Sequence, residues 1–221
     1  MYSPSTPLPA ASAAAAPAGR TAAPPLDLAG LVGPDGWARL PAAVRRRFAA
    51  GHADTVYEGH LDLACSALGR CFARLAGILG GPLTPVRARD VPTCVRVHGD
   101  GQGGVVWERR FAGAAGAAAR VVRSTKLRGP GATVIERTDG GLAMLLDVYE
   151  EQGALVFRSR CFFWSLGRWR LPIPGWLTPG VCRVEHRDAG NGRFRFTLEM
   201  VHPLWGRSFH QTGLFTDPEE A

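Results

Sequence analysis

The sequence is poor in the features that usually reveal a reaction. Cysteine occurs five times, at Cys65, Cys71, Cys94, Cys161 and Cys182, an odd and scattered set without a CxxC pair. That spacing argues against a zinc ribbon and a disulfide framework, and fits free thiols serving as small buried hydrophobes in a reducing, cytoplasmic setting. The six histidines, His52, His60, His98, His186, His202 and His210, never form HxH or HxxxH, and no serine stands in a GxSxG elbow. No metal or cofactor is therefore expected, and a histidine base would have to be assembled by distant pairing. Long uncharged apolar runs are missing too: the longest candidate, residues 61–79, contains Asp62, Arg70 and Arg74, which are costly in hydrocarbon.

Lysine is almost absent. Of 26 basic residues only Lys126 is a lysine, in a chain rich in Ala, Gly and Pro with a net charge of +7. This bias matches a GC-rich genome, so the arginine excess alone does not indicate a polyanionic partner, and nucleic acid is not favoured. Contact with an anionic membrane surface stays open through Arg70, Arg74, Arg168 and Arg170 beside tryptophans.

What is present is enough hydrophobic sequence, 46% of 221 residues, for one domain with a sizeable core. Residues 1–26 are low-complexity Ala/Pro/Ser sequence without a basic n-region and are expected to be a disordered tail rather than a secretion signal. Residues 27–84 are expected to form a helical cover, 85–216 an antiparallel β domain, and 217–221 a flexible end. In WARLPAAVRRRF, Leu40, Val44 and Phe48 recur every four residues, predicting a short amphipathic helix over 37–48 with Pro41 in its first turn. Leu61, Cys65, Leu68, Phe72, Leu75 and Leu79 predict a second helix ended by Gly80-Gly81-Pro82.

After Pro85 short alternating runs separated by turns predict strands near 91–98, 105–111, 119–127, 132–137, 142–150, 154–164, 180–187, 193–202 and 207–215. In RFRFTLEMVH, Phe194, Phe196, Leu198 and Met200 share one face and charged or polar residues the other. Eight or nine such strands in a meander predict a mainly β, up-and-down barrel or strongly curved sheet with two N-terminal helices. Gly99-Asp-Gly-Gln-Gly-Gly104 satisfies GxGxxG, but a strand follows where a dinucleotide site needs a helix, so a hairpin turn is expected. His186-Arg187-Asp188 spells the kinase HRD triplet without the remaining kinase motifs.

Charges on apolar strand faces are the best site signal. Arg109 lies between Trp107 and Phe111 on one face; if that face is inward the cation needs a partner, and Glu136, on the strand after next, is the expected one. An internal ion pair and a ligand-anchoring pair both satisfy this pattern. Arg158 and Arg160, beside Val156, Phe162 and Trp164, fit an outward stripe. The stretch FFWSLGRWRLPIPGWL, residues 162–177, has two prolines that keep Leu171 to Pro174 extended, and is expected to be a stiff connection packing Trp169 and Trp176 over a barrel end.

VWERRF, Glu136 after a glycine-containing turn, WSLGRWRLPIPGWLTP, and RFRFTLEMVHPLWGRSFHQTG, together with LPAAVRRRF followed by Gly59, resemble the family Domain of Unknown Function 4166 over residues 31–215. Its members occur alone or as C-terminal partners of saccharopine-dehydrogenase-like or short-chain reductase-like domains, so the resemblance implies a reductase-like partner encoded separately. It brings no established activity. Phe48 stands where the family is expected to carry histidine, and Gln211 where it is expected to carry tyrosine, so no acid–base role transfers to either position.

The reading that joins these points is a non-enzymatic or accessory binding module whose barrel accepts an apolar small molecule or acyl chain. The expected site residues are Trp107, Arg109, Phe111, Glu136, Trp164, Trp169 and Trp176. Two alternatives stay open: an isomerase-, cyclase- or hydrolase-like enzyme using Glu136 or a histidine, and a binder of anionic membranes or nucleic acid.

Overall fold

The computed structural model describes residues 25–49, 54–78, 83, 85–112, 120–167 and 169–218. Most of the expected tail lies outside them. Its last residue, Leu26, is buried and donates its N–H to Gly103 O at 3.0 Å, so packed chain begins before the expected boundary.

Three short helices open the fold: α1 (Leu28–Val32), α2 (Pro34–Arg39) and α3 (Ala42–Phe48). Asp27 caps α1 by accepting from Gly30 N at 3.0 Å. The single helix expected over 37–48 is interrupted, because the residue before a proline is pushed out of the α region. Leu40 is extended at φ −68°, ψ 141°, and Pro41 becomes the residue preceding α3. The four-residue spacing keeps its meaning across the break, since Leu40, Val44 and Phe48 are all buried.

The second expected helix is corrected more substantially. Residues Thr55–Cys65 form strand β1, and only Ala67–Ile78 form helix α4. Leu61 and Cys65 fit both a helical period and a period of two; Leu63, buried with them and with Tyr57, decides for the strand. The segment expected to be purely helical cover therefore supplies a barrel strand. Gly80-Gly81-Pro82, the expected helix stop, lies outside the described residues.

Ten further strands follow: β2 (Ala88–Gly99), β3 (Val105–Phe111), β4 (Arg120–Arg128), β5 (Thr133–Thr138), β6 (Leu142–Glu151), β7 (Ala154–Leu166), β8 (Trp169–Ile173), β9 (Val181–Gly190), β10 (Arg193–His202) and β11 (Gly206–Thr216). All neighbours are antiparallel. The order β6-β5-β4-β3-β2-β1-β11-β10-β9-β7 closes through β6–β7 into a ten-stranded barrel, with β8 as an extra strand on β7. Closure leaves the barrel proper without a free edge. Eight or nine strands were expected; β1 was hidden in the helical pattern and β8 in the proline-rich connection. Leu171 to Ile173 are extended as expected, and Gly175–Leu177 add one 3-10 turn before β9.

Glycine shapes the closing seam between β1 and β11. A Cβ at Gly59 or Gly213 would collide with backbone across the seam, at Leu214 O and His60 O respectively, so the two strands approach where no side chain fits. The GxGxxG stretch is the β2–β3 hairpin turn, with Asp100 Oδ1 accepting from Gln102 N at 2.7 Å and Gly104 N at 2.8 Å. A bulge opposite Leu145/Leu146 changes the parity of β7. Phe157 and Phe162 both enter the main core, while Arg158 and Arg160 stay exposed, so Phe162 leaves the face it was expected to share with the arginines. Arg160 pairs with Asp147 at 2.5 Å. A small outer cluster of Ile135, Ala143 and Phe163 covers the outside of β5–β7.

The cysteines divide. Cys65 and Cys182 are buried as expected, whereas Cys71 and Cys161 are exposed, and all five are free thiols. At the other terminus Asp217, placed in the expected flexible end, is held: its N–H donates to Gly192 O at 2.7 Å and its carboxylate binds Arg47.

Candidate functional site

The interior of the barrel contains a charged cluster built by the pleat of three adjacent strands. On β3, Trp107 and Arg109 alternate inward; on β4, Val122, Ser124 and Lys126; on β5, Val134, Glu136 and Thr138. The register sets Lys126 directly across from Glu136 and Ser124 across from both Trp107 and Thr138. Lys126 Nζ lies 3.1 Å from Glu136 Oε2, and Arg109 Nη2 lies 3.6 Å from Oε1. Ser124 Oγ donates to Glu136 Oε1 at 2.7 Å and accepts a longer bond from Arg109 Nη2 at 3.4 Å. The pairing of Arg109 with Glu136 expected from sequence is thus present, but Lys126 is the nearer partner.

Burial acts on each ionisable group here, and the partners determine the outcome. Burial pushes the Glu136 carboxyl up, yet the Lys126 ammonium, the Arg109 guanidinium and the hydrogen bonds from Ser124 and Lys126 outweigh it and hold the carboxyl below its usual range. Lys126 is pulled down by burial first, with Glu136 opposing and Arg109 adding repulsion. Its ammonium sits 4.7 Å from the Trp107 ring centre and 5.5 Å from that of Phe157, so aromatic faces supply part of what water would.

His186, on β9, faces the same interior from the opposite wall. Its ring centre is 4.9 Å from Phe48, 5.4 Å from Phe196 and 5.5 Å from Trp107. Burial, together with the positive charges of Arg47, Lys126 and Arg109, holds it well below its ordinary range, so it is the neutral imidazole. Burial also raises the Tyr57 phenol, and pushes the Cys182 thiol up to about 12.

Two neighbouring spaces adjoin this cluster. The inner one, about 50 Å³, is bounded by Trp107, Arg109, Lys126, Glu136, His186 and Gln211 among mostly apolar side chains. The outer one, about 260 Å³, lies beneath α4 and beside β8, against Phe72, Leu75, Leu142, Phe162, Ile173 and Leu177. Leu83, Glu136, Met144 and Met200 border both, so Glu136 stands between the two spaces, while Arg109 and Lys126 border the inner one.

Of the seven residues expected at the site, Trp107, Arg109 and Glu136 line this interior, whereas Phe111 is core that borders neither space. The three later tryptophans border neither space. Trp164 Nε1 donates to Gly140 O at 3.0 Å and packs at the β5–β6 turn. Trp169 and Trp176 are 63% and 62% exposed rather than folded over the barrel end. Trp176 borders only a shallow outer groove with Leu204 and Pro203. The outer space is instead bordered by Phe72, Leu75 and Ala76 of α4 together with Ile173 and Leu177, while Trp169 and Trp176 point to solvent.

Sequence reasoning missed Lys126, His186 and Gln211. Lys126 had a signal: RVVRSTKLR puts it in period with Val122 and Ser124, and a single lysine among arginines is conspicuous. His186 and Gln211 had none, because their inward direction depends on the barrel closing. Both positions at which the chain departs from the expected family pattern lie here: Phe48 packs on His186, and Gln211 borders the inner space. Among the described residues, no three His, Cys, Asp or Glu side chains cluster as a metal site, and no helix is long and apolar enough to cross a membrane.

No curated protein and no solved structure matches the chain. The family described as Domain of unknown function (DUF4166) matches residues 40–215, which takes in every barrel strand except the last residue of β11, and the chain belongs to that family.

Proposed function

We propose that this protein is a binding module that holds an apolar small molecule or acyl chain inside its barrel. The observation that carries the reading is the outer space of about 260 Å³, walled by apolar side chains and ending at sparse buried charge, the chemistry of a ligand pocket with a polar anchor. An acid–base enzyme using Glu136 is less well supported: its carboxyl is held down by two cations, whereas a general base at neutral pH needs it raised. The test is saturable binding of the neutral dye 1-aminoanthracene, followed by its fluorescence, to the wild-type protein and to Met144→Trp. Binding at one site, lost when the indole fills the junction, supports the reading; absence of binding, or equal binding by the variant, rejects it.

A second reading concerns the surface around the same barrel end. Trp169, Trp176, Leu177 and Leu204 are exposed there, with Arg170 exposed nearby, a pairing of apolar and cationic side chains suited to an anionic bilayer. Co-sedimentation with phosphatidylserine-containing vesicles, reduced by Trp176→Ser combined with Leu204→Ser, is expected. Failure to sediment at low salt rejects this second reading.

A further inference from the structure

The charges in the interior do not balance. Among the described residues, Glu136 is the one carboxylate that Arg109 and Lys126 face. Arg47, the other cation bordering the inner space, already has its own partner, with Nε and Nη2 donating to the two Asp217 oxygens at 2.8 and 2.5 Å. The remaining ionisable groups on that lining cannot supply the missing negative charge: His186 is neutral, and the Tyr57 and Cys182 protons are held on by burial. Burial and Arg109 disfavour the ammonium form of Lys126, and Glu136, ionised 3.1 Å away, opposes them and gives that ammonium its partner. One positive charge is left over in an apolar enclosure, where an unneutralised charge is strongly unfavourable.

The hydrogen bonds show the same surplus. Glu136 Oε1 is taken by Ser124 and Oε2 by Lys126. Arg109 reaches the cluster only through Nη2, at 3.4 and 3.6 Å, and its Nε is buried with no partner. His186 Nδ1 and Gln211 Oε1, bordering the same inner space, are also buried without partners. Buried polar groups are normally satisfied, so the unmet donors Arg109 Nε and Arg47 Nη1 call for an acceptor in the inner space, while Gln211 Oε1 is itself an unmet acceptor that a water can serve.

We infer that the ligand of this barrel carries a single carboxylate head, which sits in the inner space against Arg109 and Lys126 while its apolar chain runs past Leu83 and Met144 into the outer space beneath α4. This rests on the ligand-binding reading above and adds the head group to it. A monoanion neutralises the one surplus charge; a phosphate dianion would replace a surplus cation by a surplus anion in the same enclosure. The inner volume of about 50 Å³ admits a head group or a few waters, at roughly 10–15 Å³ per water, and the longer apolar portion belongs outside.

The test is displacement of 1-aminoanthracene by decanoate, decanol and decyl phosphate at pH 7.5 and low salt. Decanoate is expected to bind about ten- to a hundredfold more tightly than decanol, the worth of one charge-assisted hydrogen bond, and more tightly than decyl phosphate. In Lys126→Met, where Arg109 and Glu136 balance, the preference for decanoate over decanol should disappear; in Glu136→Gln it should widen. Equal or tighter binding of decanol overturns the carboxylate assignment and leaves the apolar pocket standing. Decyl phosphate binding as tightly as decanoate overturns it in favour of a dianion. If the dye binds and none of the three displaces it, the head-group inference fails; if the dye itself does not bind, the pocket reading fails with it. The wild-type comparison decides the matter even if a variant does not fold.

Discussion

The two ends of the barrel are built from opposite materials. At one end α3 inserts Phe48, 1% exposed, against Trp107, Phe157 and His186, and Arg47 lies 3.7 Å over the Phe194 ring while its Nε and Nη2 bind Asp217. At the other end α4 leaves Leu75 64% exposed and covers a space rather than filling it. Both helices are short and amphipathic, yet only one is a plug. The difference lies in what each face presents: α3 offers a large ring and a bidentate arginine, whereas α4 offers Phe72, Leu75 and Ala76 to a cavity that they border without occupying. Packing density goes with stability and its absence with binding, so the two ends should respond differently to mutation.

The largest effect is expected at the plug. Phe48→Ala should cost about 3–5 kcal/mol in urea unfolding, since a fully buried ring is removed from three aromatic neighbours. A loss under about 1 kcal/mol would show that this end is not closed by α3. Next comes Asp217→Ala, which strands Arg47, whose side chain is 2% exposed, and should cost about 3 kcal/mol by the same measurement.

The interior between the ends should show itself through pH. His186 has a folded pKa depressed well below 6.5, so below that value the unfolded chain takes up a proton that the native one refuses. Stability is therefore undiminished by this group above pH 6.5 and falls as pH drops below it. His186→Phe should flatten the curve immediately below pH 6.5, and an unchanged slope would contradict a neutral, buried His186. Glu136 adds a second, more acidic component: its lowered carboxyl stabilises above about 4.5 and loses that contribution as pH falls through the folded value. The smallest effect belongs to the open end, where Leu75→Ala should change stability by no more than about 0.5 kcal/mol while altering dye affinity.

The residues explain how much of this was readable. Nine strands were legible because each is a short apolar or alternating run bounded by turns, the alternation being clearest in RFRFTLEMVH. β1 was not, because Leu61 and Cys65 match two periods at once and α4 follows after a single residue. Arg109 and Glu136 could be paired from the pleat and strand count alone. Lys126 could have joined them by the same argument, whereas His186 and Gln211 come to the cluster from strands on the far side of the barrel.

The sequence by itself determined the β character, the alternation that makes two unlike faces, and the presence of charge on an otherwise apolar face, since these are local periodicities that each strand carries alone. Tertiary structure decided the rest. Closure through β6–β7 and β1–β11 brought distant walls within reach of one another, one bulge turned Phe162 inward, and the placing of β8 as an extra strand on β7 left Trp169 exposed. Each of these depends on how strands far apart in the chain meet, and no periodicity within a single strand encodes that.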